Sequence, residues 1–146
     1  MAAWRIGGLA GALAAVSMAA AAQEAALPAA LVERFAPFDQ AAQEGWEATT
    51  PAPLLLTAAT GKAAAAPMTL EPGSYRIVVL CDCALMDVTL LRPDSTTVPP
   101  ERSGEQAAMY SLDVTIQGAY LTGVDMDDCA AVRCDVAVKV YRKKKT

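Results

Sequence analysis

Glu71-Pro72-Gly73-Ser74-Tyr75-Arg76-Ile77-Val78-Val79-Leu80-Cys81-Asp82-Cys83 joins a turn, a strand and a cysteine pair in one short run. Proline and glycine inside Glu71-Pro72-Gly73-Ser74 mark the turn. Tyr75 to Leu80 consists of residues that suit a pleated, half-buried surface, and alternation puts Tyr75, Ile77, Val79 and Cys81 on one face. The chain on either side is read against this strand.

Downstream, Leu85 to Leu91 reads as a second strand, broken by Arg92-Pro93-Asp94-Ser95, and Val98 to Glu105 reads as a loop. Met109 to Ile116 is a strand, Gln117-Gly118 a tight turn, and Ala119 to Met126 a further strand. Cys134 to Tyr141 closes the series, with Val136, Val138 and Val140 on one face. Upstream, Leu54-Leu55-Leu56-Thr57 is a short apolar run, Ala63 to Pro67 reads as a break, and Met68-Thr69-Leu70 leads into the turn. Strands at this spacing, with turn residues between them, predict an all-β fold. The expected form is an antiparallel sandwich of about 7–8 strands over residues 49–142, rather than a parallel α/β sheet.

Residues 1–22 read as a signal peptide. Arg5 supplies a positive start, Ile6 to Val16 an apolar stretch, and Ala20-Ala21-Ala22 a small-residue cleavage site before Gln23. The stretch is too short and too rich in Ala and Gly to span a membrane, which takes about 20 strongly apolar residues. The expected product has no membrane span after cleavage and is periplasmic or secreted. Residues 23–48 read as a short helical leader, with Leu27, Leu31 and Phe35 at four-residue spacing. Pro28 suits a first turn, and Pro37 is expected to stop the helix near Phe35 or Ala36. A second short turn is expected from Phe38 to Glu44, ending at Gly45. The leader's apolar stripe is expected to pack on the sandwich.

The chain has 12 Lys and Arg against 16 Asp and Glu, a net charge of −4, and no histidine. The acidic balance argues against nucleic acid, which needs a clustered positive surface. Arg142-Lys143-Lys144-Lys145 reads as a solvated basic tail, 143–146 lying beyond the domain. The lack of histidine removes Ser-His-Asp and Cys-His catalysis, His-ligated zinc and the commonest general base. No glycine-rich phosphate loop is present.

Cys81, Cys83, Cys129 and Cys134 form an even set on an exported chain, which reads as disulfides. Three pairings are open. Cys129 with Cys134 closes a small loop. Cys81 with Cys83 joins two residues on one strand face, about 6.5–7 Å apart at Cα if extended, so it needs a bend after Cys81. The crossed pairings would staple the first strand to the last hairpin. Zinc would need all four thiolates, which an oxidising compartment disfavours, and redox chemistry usually wants a cysteine at a helix start. Asp82 and Asp87 flank the second strand, and Asp125, Asp127 and Asp128 precede Cys129. If the cysteines bring these segments together, the five carboxylates become Ca²⁺ candidates at one end of the sandwich. The alternative is a solvated rim.

Leu70-Glu71-Pro72-Gly73-Ser74-Tyr75 resembles the L-x-x-G-x-Y strand of bacterial pre-peptidase C-terminal (PPC)-like domains. Gly118-Ala119-Tyr120-Leu121-Thr122-Gly123-Val124 resembles their G-x-Y-x-x-x-V strand. Cys81-Asp82, then Met126-Asp127-Asp128-Cys129 and Cys134, are similar to a group of small exported proteobacterial proteins of unknown function. The resemblance covers roughly residues 50–142. It implies a small, non-catalytic, jelly-roll-like β-sandwich and a local bridge at the first cysteine pair. Here a single residue, Asp82, separates cysteines that such relatives hold further apart.

Together these readings predict a non-enzymatic exported binding or envelope-associated module. Its partner would be an envelope protein or polysaccharide, met at sheet faces or loop ends near Tyr110, Tyr120 and Tyr141. The alternative is a redox accessory protein or Ca²⁺-binding module that uses Cys81 and Cys83 or the acidic cluster.

Overall fold

The computed structural model describes residues 23–24, 27–49, 54–129 and 132–145. The signal peptide expected at 1–22 lies outside them. In chain order the elements are β1 (Gln23–Glu24), α1 (Ala29–Ala42), β2 (Trp46–Ala48), β3 (Leu54–Ala59), β4 (Ala63–Leu70) and β5 (Gly73–Cys81). They continue with β6 (Leu85–Leu91), β7 (Thr97–Val98), β8 (Arg102–Ser103), β9 (Ala107–Val114), β10 (Gly118–Asp128) and β11 (Arg133–Lys143). A seven-stranded sheet runs β1-β3-β11-β5-β9-β8, with β2 also on β11, and a four-stranded sheet runs β4-β10-β6-β7. Every pairing is antiparallel. This is the expected all-β sandwich. Four of its strands are only two or three residues long.

The chain passes repeatedly from one sheet to the other. β3 lies in the large sheet, β4 in the small, β5 in the large and β6 in the small; β10 and β11 divide the same way. Inward side chains of both sheets form one apolar core, including Leu56, Ile77, Val79, Tyr110 and Val138 from the large sheet and Met68, Leu90, Val124 and Met126 from the small.

The strand β5 is buried on both faces. Ile77 and Val79 point into the sandwich, while Val78 and Leu80 meet Leu31 and Phe35 of α1, together with Met109, Ala137 and Tyr141. The apolar stripe expected of the leader is therefore docked on the outer face of the large sheet. The leader also contributes β1 and β2 to that sheet.

Two expectations are corrected. The helix does not stop at Pro37, which lies inside α1 and exposed. A mid-helix proline removes one hydrogen bond and crowds the preceding turn. Contacts on both sides of it hold the helix together: Phe35 before it, and Ala42 and the partly buried Phe38 after it, all pack on the same patch. Asp39 accepts hydrogen bonds from Tyr141 Oη at 2.6 Å and from Lys139 Nζ. The chain turns out of the helical region at Gly45, whose φ of 107° suits glycine. Secondly, Ala63 to Pro67 is not a break but the first half of β4. Ala64 and Ala66 are small enough to pack beneath the core, and β4 is an edge strand, where a proline without an N–H is tolerated.

Candidate functional site

Both cysteine pairs lie at one end of the sandwich, where β3–β4, β5–β6 and β10–β11 cross between sheets. Cys81 pairs with Cys83 across a Cα–Cα distance of 5.2 Å, and Cys129 pairs with Cys134 across 5.5 Å. Both bridges are thus local. The bend needed for the first is supplied because β5 ends at Cys81 and residues 82–84 turn toward the small sheet. Backbone bonds lace the corners together. Asp82 N–H donates to Asp135 O at 3.0 Å, Ala84 N–H to Asp128 O at 3.0 Å, and Asp135 N–H to Asp82 Oδ1 at 2.6 Å. Arg34 of α1 donates to the carbonyls of Cys81 and Gln106. Cys81, Cys83 and Cys134 are almost fully buried, which suits structural bridges better than thiols that must meet a redox partner.

Of the five aspartates, Asp87, Asp125 and Asp127 come together and Asp82 does not join them. Asp82 is turned to the Asp135 amide. Asp87 and Asp125 sit directly opposite each other on the outer face of the small sheet. Asp127 joins them: a hydrogen bond with Asp87, then partial desolvation and the charges of Asp87 and Asp125, raise its carboxyl above the usual aspartate range. Asp128 lies past a bulge, opposite Leu85. Among the described residues no group of three or more His, Cys, Asp or Glu has the geometry to hold a metal ion.

The tyrosines expected at a binding face are inside. Tyr110 is 1%, Tyr120 7% and Tyr141 2% exposed. Their positions alternate inward, or under α1, and the buried hydroxyls find partners: Tyr110 Oη donates to Val88 O at 3.1 Å and Tyr141 Oη to Asp39. Burial raises both phenols above their ordinary value; for Tyr141 the Asp39 carboxylate adds to the effect.

The outer face of the small sheet lacks aromatic side chains. It carries Ala63, Ala65 and Gly123 around a shallow groove of about 230 Å³. A larger cleft of about 380 Å³ opens beside β6, between Leu85, Asp87, Pro100, Glu105 and Tyr110. The cleft with the most varied recognition chemistry is at the other end of the molecule. It measures about 350 Å³ and is lined by Trp46, Ser74, Arg92, Ser111 and Asp113 over the flanks of Tyr75 and Leu112.

Its construction follows from the sheet. The helix covers the outer face only as far as Val78 and Tyr141. Beyond them β5 and β9 present Arg76 opposite Ser111 and Ser74 opposite Asp113. The strand β2, paired to the end of β11, carries Trp46 onto this ground, with its ring centroid 4.6 Å from the Arg76 guanidinium carbon. Ser74 Oγ donates to Asp113 Oδ1 at 2.6 Å, and Ser111 Oγ to Glu101. Arg92 Nη1 donates to Thr97 O at 2.6 Å. Arg76 Nε is buried without a hydrogen-bond partner. Of the tyrosines near which a binding face was expected, Tyr120 lines this cleft; the rest of the site was missed, because its residues come from separated segments of the chain. The available hint was Trp46, the one tryptophan after residue 22.

No known protein family matches the chain by sequence, and no curated protein does. Among solved structures the chain is similar to two variants of CBM29-2, a family 29 carbohydrate binding module. The identities are 15% and 13%, over 69% of this chain and 84% and 82% of theirs, with TM-scores of 0.36 and 0.37. At that level the likeness assigns neither a ligand nor a site.

Proposed function

We propose that this chain is an exported, non-catalytic β-sandwich module, periplasmic or secreted, that binds a component of the cell envelope through the cleft at Trp46. The observation that carries this reading is the cleft itself. An aromatic wall, two hydroxyls, a carboxylate and a guanidinium converge there, beside a buried guanidinium nitrogen that lacks a partner. Concave sites where a few polar groups are placed around an apolar wall are where proteins hold ligands, and the lining of this one is the more polar. A chain without histidine, with its four cysteines tied in two bridges and three of them almost fully buried, supports binding over catalysis. The resemblance to PPC-like domains, which are non-catalytic and borne by exported proteins, supports the same reading.

The test is co-sedimentation of the purified protein with isolated cell-envelope fragments. Arg92 and Asp113 are exposed, so Arg92→Ala and Asp113→Asn leave the core untouched. The expected result is that the double variant loses retention by about tenfold, the equivalent of one polar contact or two. Retention equal to that of the unsubstituted protein would sink the reading.

A further inference from the structure

The charges at the cleft come in both signs. Asp113 and Glu101 would repel a simple anion, whereas Arg92, and Arg76 beside it, would repel a simple cation. Its hydrogen-bonding capacity also runs both ways. Asp113 spends Oδ1 on Ser74 Oγ, but a carboxylate has about four acceptor sites. Arg92 uses Nη1 on the Thr96–Thr97 segment, and a guanidinium carries about five N–H donors. Ser74 and Ser111, whose hydroxyl protons go to Asp113 and Glu101, keep lone pairs that accept. Trp46, partly buried against the cluster under α1 and carrying the Arg76 guanidinium over its ring, adds an apolar wall suited to C–H groups. Resting on the reading of this cleft as the binding site, we infer that it takes an uncharged, polyhydroxylated ligand: one or two units of a neutral saccharide chain. Vicinal hydroxyls donate to the Asp113 carboxylate and accept from Arg92, while a sugar ring lies along the indole. The volume of about 350 Å³ is near the lower end of ligand sites, about 300–1,000 Å³, and admits a short length of chain rather than a broad surface.

Trp46 is its own reporter. The full chain has two tryptophans, Trp4 and Trp46, so a Trp4→Phe background isolates the emission of the second. Maltohexaose, cellohexaose and xylohexaose serve as neutral probes and hexagalacturonate as the anionic one. The expected result is a saturable change in Trp46 emission with at least one neutral probe. Its midpoint should rise about tenfold in Arg92→Ala plus Asp113→Asn, and it should move by less than about twofold between about 0.1 M and about 1 M salt. A response confined to hexagalacturonate and abolished by salt would overturn the proposal. So would silence with all four probes. If silence is accompanied by envelope retention that still depends on Arg92 and Asp113, the ligand class fails while the binding-module reading stands. If that retention does not depend on them, both fail.

Discussion

The two faces of the seven-stranded sheet are built for different ends. The inner face meets the smaller sheet and is apolar at its centre, with Leu56, Ile77, Val79, Val136 and Val138 at 0–1% exposure. The outer face is divided. One part, around Val78, Leu80, Met109 and Ala137, lies under α1; the rest, around Arg76, Ser74, Ser111 and Asp113, is polar and open. A closed interface leaves little room for chemistry, because every buried polar group needs a partner. A partly covered face can keep its stability under the helix and present polar groups beyond it.

If this contrast is right, the largest loss of stability comes from the inner face. Ile77→Ala on the central strand β5 should cost about 2–5 kcal/mol and lower the urea midpoint of a single cooperative transition. Phe35→Ala should cost less, about 1–3 kcal/mol, because α1 can undock locally while the sandwich stays folded. Hydrogen exchange should then speed up in α1 before it does in β5. Equal acceleration in both would show that the two layers are one cooperative unit, and the contrast would fail.

The polar seam between helix and sheet should reveal itself in alkali. The Tyr141 phenol is held protonated in the folded protein, chiefly by burial and then by Asp39, so its folded pKa stands above the unfolded value near 10. This stability is present below about pH 10 and is lost as pH rises further. Tyr141→Phe should therefore flatten the fall in melting temperature above that pH, and a parallel decline in both proteins would refute the assignment. The smallest expected effect has the opposite sign. Thr122 is fully buried on the inner face of β10, and its hydroxyl has no partner. Thr122→Val should be neutral or stabilising by up to about 1 kcal/mol. A clear loss would mean that the inner face holds an ordered polar partner for that hydroxyl.

Most of the strands were legible because a β-strand writes itself as a local alternation: Tyr75-Ile77-Val79 and Val136-Val138-Val140 declare their buried face by spacing alone. The helix was legible at Leu27, Leu31 and Phe35, but its length was not. Pro37 is a strong local stop signal, and the contacts that overrule it, Asp39 with Tyr141 and Phe38 with the sheet, lie about a hundred residues away in the chain or on another element. The alanine run in β4 failed for a related reason. Alanine has little strand preference, and its place there comes from the shallow space beneath the core at a sheet edge. The burial of the tyrosines was not legible, because an aromatic ring reads the same in sequence whether its hydroxyl meets water or a carbonyl such as Val88 O.

What this sequence determined alone was the material of a sandwich: alternating strands, turns at Pro72-Gly73 and Gln117-Gly118, four cysteines in two close pairs, and a chain without histidine. Partnership was left to the tertiary structure, since neighbouring strands in the chain mostly belong to opposite sheets. Only there do Trp46, Ser74, Arg92, Ser111 and Asp113 meet, and only there does Asp82 turn away from the other carboxylates to the Asp135 amide. The physical reason is one of range. Alternation and turn chemistry act over a few residues, whereas a cleft is assembled by cross-strand register and sheet packing, which join side chains that the chain itself keeps far apart.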